Sequence, residues 1–266
     1  MDPIAQFKEQ QKAAWSGFAM LEGVTGTTAP RLVQFAGVHK GAEVLDVGCG
    51  TGVVALTAAR LGAKVTGVDL TPELIERARE NSALSKLEAV WYQGDAEALP
   101  LPDAQFDYVL SQFGHMFAPR PEVVLREMLR VLKPGGTLAF STWPPEMFVG
   151  RIFALMGKYA PAPPPGVSPP AQWGDPSIVR ERLGASVKEL TFGRDAMIFP
   201  ALSSAHYRIF METHFGPARK LLQGLDANDS SKAAALRREM EELASQYLQD
   251  NVLRQDYLLT RALKAA

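Results

Sequence analysis

From residue 42 to residue 143 the chain alternates short apolar runs with amphipathic stretches, and this alternation restricts the fold more than any other feature. Each apolar run is short enough to be a buried strand. Each amphipathic stretch between them reads as a helix that carries the chain back for a parallel partner. The strand candidates are residues 43–47, 64–68, 88–92, 106–111 and 137–142. Helix boundaries are equally legible. Thr71-Pro72-Glu73 offers an N-cap, a proline at the first helical position and an acid in the first turn, followed by Leu74, Ile75 and Ala78 on one face. Pro121-Glu122 opens another helix, with Val124, Leu125, Met128, Leu129 and Leu132 at helical spacing, and Lys133-Pro134-Gly135-Gly136 turns the chain into the next strand.

Two helices, over residues 3–20 and 30–38, precede this core. After it, apolar helical material with Phe148, Ile152, Phe153 and Met156 leads to a proline cluster, Pro161 to Pro170, which reads as a semi-rigid loop. A short helix at 176–183, a strand near 186–193, helices at 202–215 and 231–249, and a last strand at 252–263 follow.

The bulk numbers narrow the partners. Among 266 residues, 28 Lys and Arg balance 29 Asp and Glu, for a net charge of -1, so the phosphate attraction typical of nucleic-acid binders is missing and no nucleic-acid partner is expected. The one cysteine, Cys49, allows no internal disulfide and no cysteine-rich metal centre. The N-terminus lacks the pattern of a secretory signal, and no run of eighteen uncharged apolar residues occurs. The expectation is a soluble cytoplasmic protein without a metal, monomer or homodimer being left open.

Chemistry concentrates in the loop Asp46-Val47-Gly48-Cys49-Gly50-Thr51-Gly52, set between a strand and a helix that opens at Val53. Glycines let a nucleotide-like ligand approach the backbone at the carboxyl edge of a parallel sheet. A dinucleotide fingerprint starting at Gly48 and Gly50 would need glycine at position 53, where Val53 stands, and no Lys-Ser or Lys-Thr pair follows to make a phosphate loop.

Val44 to Gly52 resembles motif I of class I S-adenosylmethionine-dependent methyltransferases, and further motifs follow in order. Val68-Asp69, Gly94 to Pro100, Phe106-Asp107-Tyr108-Val109 and Leu129 to Gly136 resemble its later segments, over roughly residues 35–143 and closest to the type 11, ubiquinone/menaquinone-biosynthesis-like branch. The resemblance implies a Rossmann-like α/β fold: a seven-stranded, mostly parallel doubly wound sheet with helices on both faces and a helical cap. Within one overall domain, residues 1–40 would cover the cofactor site, 41–143 form the S-adenosylmethionine-binding core, and 144–266 supply cap helices and the last two strands. It further implies that S-adenosylmethionine is bound, with S-adenosylhomocysteine as product. Asp46 would receive its ammonium and Asp69 both ribose hydroxyls, a task suited to a carboxylate. Asp95 and the Ala96 backbone N–H would read adenine. Gly48, Cys49, Gly50, Gly52, Leu70, Gly94 and Ser111 complete the expected cofactor set, and Trp15 folds over it.

Methyl transfer needs chiefly an aligned acceptor, excluded water and, for a protonated acceptor, a base. The segment Ser111-Gln112-Phe113-Gly114-His115-Met116-Phe117 carries neither an Asn/Asp-Pro-Pro-Tyr nor a Pro-Cys pattern, which argues against nucleic-acid bases as acceptors. His115 is the candidate general base, with a loop histidine of purely structural use as the alternative. Aromatic and sulfur-bearing side chains, among them Trp143, Phe148, Phe153, Met156, Tyr159, Trp173, Phe199, Tyr207, Phe210, Met211 and Phe215, point to an apolar pocket for a small acceptor. A nicotinamide-dependent oxidoreductase and a non-catalytic cofactor-binding module are the rival readings.

Overall fold

A computed structural model describes residues 2–265. Helix α1 (Pro3–Trp15) begins where Asp2 accepts from the Ile4 N–H, and ends earlier than expected. Ser16 and Gly17 break it, and Phe18–Leu21 continues as a 3-10 turn. Helices α2 (Glu22–Thr25) and α3 (Ala29–Ala36) follow, α3 closed by Gly37 in the left-handed region.

The alternating core then runs β1 (Glu43–Val47), α4 (Val53–Arg60), β2 (Lys64–Asp69), α5 (Pro72–Ser85), β3 (Val90–Gln93), β4 (Phe106–Gln112), α6 (Pro121–Val131) and β5 (Leu132–Thr142). Strand β3 starts two residues later than the sequence suggests. The Pro134-Gly135-Gly136 turn is absorbed into β5 as an irregularity, where the register against β4 jumps between Phe106↔Leu132 and Tyr108↔Thr137.

The remaining elements are α7 (Phe148–Tyr159), α8 (Pro176–Leu183), β6 (Val187–Pro200), α9 (Ser204–His214), α10 (Gly216–Asn228), α11 (Ser230–Ser245), β7 (Leu248–Gln249) and β8 (Val252–Lys264). Strand β6 is longer than expected because it pairs along nearly all of β8. Helix α10 occupies the stretch between the two helices expected at 202–215 and 231–249: Pro217 stands in its first turn, where the N–H that proline lacks would be unpaired anyway.

The sheet has eight strands in the order β3-β2-β1-β4-β5-β8-β6, with β7 paired to β8. Strands β1 to β5 are parallel; β8 inserts antiparallel between β5 and β6. Helices α3 and α4 pair over the β1, β2 and β4 region, and α6 with α8 pack against β4, β5 and β6. The expected doubly wound fold is therefore the observed one, with one extra two-residue strand. A large core of residues such as Leu32, Leu45, Phe106, Leu110, Met128 and Phe140 fills the space between sheet and helices. A second core, built on Phe148, Ile152, Tyr207, Leu222, Leu236 and Met240, joins α7, α9, α10 and α11 into a helical cap.

Strand order reverses between β1 and β4, so a crevice opens past their carboxyl ends. Gly48 and Gly114 meet there backbone to backbone: a Cβ on Gly48 would lie 2.9 Å from the Gly114 Cα, and one on Gly114 would lie 2.5 Å from the Gly48 carbonyl oxygen. Among the described residues no helix is long and apolar enough to cross a membrane.

Candidate active site

The loop after β1 is held by its neighbours before any ligand arrives. The Gly48 and Cys49 N–H groups both donate to the Val68 carbonyl, at 2.8 and 3.1 Å, which ties the loop to the end of β2. Asp69, the last residue of β2, accepts from the Gly50 N–H at 2.8 Å through Oδ2 and from the Thr71 N–H at 2.9 Å through Oδ1. Burial raises the Asp69 carboxyl pKa, and these backbone donors counter part of the rise. Each oxygen keeps a second lone pair for a ligand hydroxyl.

Asp46 is 1 % exposed. Its Oδ2 accepts from the Ala55 N–H in the first turn of α4 at 3.1 Å, while Oδ1 has no partner among the described residues. Burial pushes this carboxyl up to about 7; the Ala55 N–H lowers it and the nearby Asp69 charge raises it further. A buried carboxyl oxygen without a donor suits a cationic group better than an empty pocket.

Cys49 is buried and fills space against Gly67, and burial raises its thiol pKa well above the usual value. It is a packing residue of the loop. Beneath the same loop lies Trp91 of β3, which the sequence did not mark as part of the site. A Cβ on Gly52 would come within 2.5 Å of the indole, and one on Gly67 within 2.3 Å. Gly52 has φ +84 and N-caps α4, so its role is to turn the chain and admit the indole.

A cavity of about 190 Å³ opens above the loop. Gly48, Gly50, Asp69, Leu70, Gly94, Asp95, Ala96 and Trp15, all expected at the cofactor, line it. Asp46 and Cys49 border a smaller adjoining pocket with Gly48, Gly50 and Gln112. Asp95 accepts from the Glu97 N–H at 2.9 Å and from Lys8 Nζ at 2.6 Å. Lys8 reaches Glu97 as well, at 2.6 Å, and the buried Glu97 also takes the Arg120 backbone N–H and guanidinium. This ion-pair cluster fixes α1 to the segment that follows β3. No local pattern marks Lys8, Glu97 and Arg120 in the sequence: Lys8 meets its partners across 87 and 89 residues of chain, and Arg120 meets Glu97 across 23.

Three expected site residues line neither pocket: Gly52, which turns the chain into α4, Ser111 and His115. Ser111 is fully buried, donating to the Val47 carbonyl at 2.6 Å and accepting from the His115 N–H at 3.0 Å, so it braces β1 to β4 and does not line the cavity. His115 is also outside the lining. Its ring is 1 % exposed and packs against Phe140 and Trp173 at centroid distances of 4.6 and 4.7 Å, with neither nitrogen paired among the described residues. Burial, aided by the Arg182 charge, drives its pKa down to about 3. Held neutral in an apolar nest and shielded from the cavity, His115 is withdrawn from the role of general base.

The far end of the cavity is aromatic. Trp15 packs on Phe117 at 4.7 Å and edge-on to Phe18 and Phe215, both at 5.4 Å. Trp143, Phe153, Phe199, Tyr207 and Met211 extend this lining, whereas Phe148, Met156, Tyr159, Trp173 and Phe210 lie outside it. The charged lining residues, Lys8, Asp69 and Asp95, all sit at the loop end.

A family model described as a methyltransferase domain matches residues 45–140. An uncharacterized protein of Mycobacterium tuberculosis is 37% identical over 246 residues, 92% of this chain and 89% of that protein. The chain belongs to the class I S-adenosylmethionine-dependent methyltransferases, type 11 branch. A demethylmenaquinone methyltransferase of Tropheryma whipplei is 37% identical over 127 residues, 47% of this chain and 52% of that protein. In fold, this chain matches the YcgJ protein of Bacillus subtilis with a TM-score of 0.62 at 19% identity, over 90% of this chain and 99% of that one. Family membership sets aside the oxidoreductase reading, in agreement with Val53 at the third glycine position of a dinucleotide loop.

Proposed function

We propose that the cavity holds S-adenosylmethionine at its loop end and a small, uncharged, largely apolar or aromatic acceptor at its aromatic end. The observation that carries this reading is the division of one cavity into two chemistries. Three carboxylates, Asp46, Asp69 and Asp95, border the loop end, and Phe117, Phe153, Phe199, Tyr207 and Phe215 line the other. The unpaired Oδ1 of Asp46 fits the ammonium group, the free lone pairs of Asp69 the ribose hydroxyls, and the slot between Leu70 and Ala96 the adenine, with Asp95 at its edge.

When bound, this cofactor supplies an electrophilic methyl group and a neutral thioether as leaving group. The residues of the chain then have three tasks. Trp15, Phe117 and Phe215 close the cavity against water, the aromatic wall orients the acceptor by shape, and the loop keeps the two reactants in one frame. Proton removal is not among them. No Asp, Glu, His or Lys lines the aromatic end among the described residues, and burial raises the Tyr207 hydroxyl pKa, so that it stays a donor.

Calorimetric titration with S-adenosylhomocysteine tests the cofactor half. Wild-type protein is expected to bind, and Asp69→Ala to lose at least about a hundredfold in affinity, since it removes two ligand contacts and the anchor of the Gly50 N–H. Unchanged affinity in Asp69→Ala would refute this placement of the ribose.

A further inference from the structure

Gln112 closes β4 at the point where the main cavity meets the smaller pocket that holds Asp46, and it borders both. Its placement is built into the backbone. The next residue, Phe113, takes the left-handed conformation at φ 60, unusual for a bulky side chain. It is held there by a parallel stack on Trp143 at 3.9 Å, by Tyr257 edge-on at 5.5 Å, and by its N–H donating to the Ser141 carbonyl at 3.0 Å.

The orientation of the Gln112 amide is equally determined. Its Nε2 donates to the Thr25 carbonyl at 2.9 Å; a carbonyl only accepts, so the opposite rotamer would set two oxygens against each other. This leaves Oε1 buried with no donor among the described residues. Two such buried orphan oxygens border the paired pockets, Asp46 Oδ1 and Gln112 Oε1. The first suits a cation. The second is neutral, sits on a side chain that borders both pockets, and requires an N–H or O–H to complete it.

We propose that Gln112 is a positioning residue for the acceptor: its Oε1 accepts a hydrogen bond from a hydroxyl or amine on the acceptor and so turns a lone pair of that group toward the loop end. The proposal rests on the functional reading above. It narrows the acceptor to an uncharged, ring-bearing molecule with an O–H or N–H donor, and it excludes acceptors that offer only a carbanion carbon or a thioether. An amide oxygen is a weak base, so Gln112 orients the donor without removing its proton: the methyl–sulfur bond breaks as the new bond to oxygen or nitrogen forms, the thioether leaves neutral, and the proton on the now cationic product passes to bulk water when the product leaves.

The test compares 2-naphthol with naphthalene, two probes of like shape of which one carries the donor, binding to protein saturated with S-adenosylhomocysteine. Gln112→Met, which keeps length and removes the acceptor oxygen, is expected to weaken 2-naphthol by about tenfold while leaving naphthalene within about twofold. S-adenosylhomocysteine affinity should match wild type in the same variant. Should Gln112→Met not fold, Gln112→Asn retains the amide but withdraws the oxygen by one methylene, and the same selective loss is expected.

Equal loss for both probes, or loss for neither, would overturn the proposal. So would a folded variant that loses S-adenosylhomocysteine, because Gln112 would then serve the cofactor. Failure of 2-naphthol to bind the wild-type complex at millimolar concentration overturns the proposal and leaves the cofactor placement standing. Failure of S-adenosylhomocysteine to bind wild type removes the functional reading itself.

Discussion

Asp46→Asn is expected to bind S-adenosylhomocysteine about a hundredfold more weakly than wild type near neutral pH, and to lose the pH dependence of that binding. In the ligand-free protein, burial lifts the Asp46 carboxyl to about 7, with only the Ala55 N–H opposing the rise. The form that receives an ammonium group is the anion. Below a pH of about 7 a proton must leave before the ligand can dock, so wild-type affinity should fall by up to tenfold per pH unit toward about pH 5.5.

The same residue works against folding in the empty protein. Its folded pKa lies above the unfolded value of 3.8, so its proton stabilises the fold. That contribution is fully present below 3.8 and is lost as pH rises to about 7. Ligand-free Asp46→Asn should therefore be more stable than wild type at about pH 8, by an amount on the order of a few kcal/mol. Calorimetric titrations over this pH range and denaturant melts of the ligand-free proteins check both halves. A pH-independent affinity in wild type, or a destabilised Asn variant, would sink the account of Asp46.

Trp91→Ala should be the most destabilising substitution near the site, at about 3–5 kcal/mol. The indole is 6 % exposed and fills the space beneath the loop against the Cα atoms of Gly52 and Gly67. Removing it leaves a void under the segment that carries Gly50 and Cys49, so cofactor affinity should drop as well, although Trp91 is not a lining residue. Gly67→Ala presses a methyl group into the indole and is expected to cost about 1–3 kcal/mol. Trp91→Phe should recover much of the stability, because the indole N–H is buried without a partner and phenylalanine has none to bury. Urea unfolding of the four proteins tests the ordering; Trp91→Ala within about 1 kcal/mol of wild type would contradict it.

How far the site could be read in advance follows from how locally each residue is specified. Asp46, Gly48, Gly50 and Asp69 lie at strand ends announced by apolar runs and glycines, and parallel order alone brings those ends to one edge. His115 and Ser111 show the limit. Their position after the fourth strand suggested the cavity, but the backbone at Phe113 and Gly114 turns away sharply, and the close approach of Gly114 to Gly48 sends His115 behind the wall toward Trp173. Alternation along β4 places Ser111 and Gln112 on opposite sides, so that the residue without a motif borders the cavity and its neighbour does not. Lys8 and Thr25 are found only through partners 87 residues away in each case, which no local spacing encodes. The aromatic cap was legible as composition. Which six of its members face the cavity depended on helix packing in the second core.

A crystal structure of the protein with S-adenosylhomocysteine tests the central claim most directly. The ammonium group is expected to pair with Asp46 Oδ1 and the ribose hydroxyls with Asp69, with the sulfur facing the chamber lined by Phe117, Phe153 and Tyr207. A ligand whose sulfur points away from that chamber, with Asp46 Oδ1 still unpaired, would contradict it.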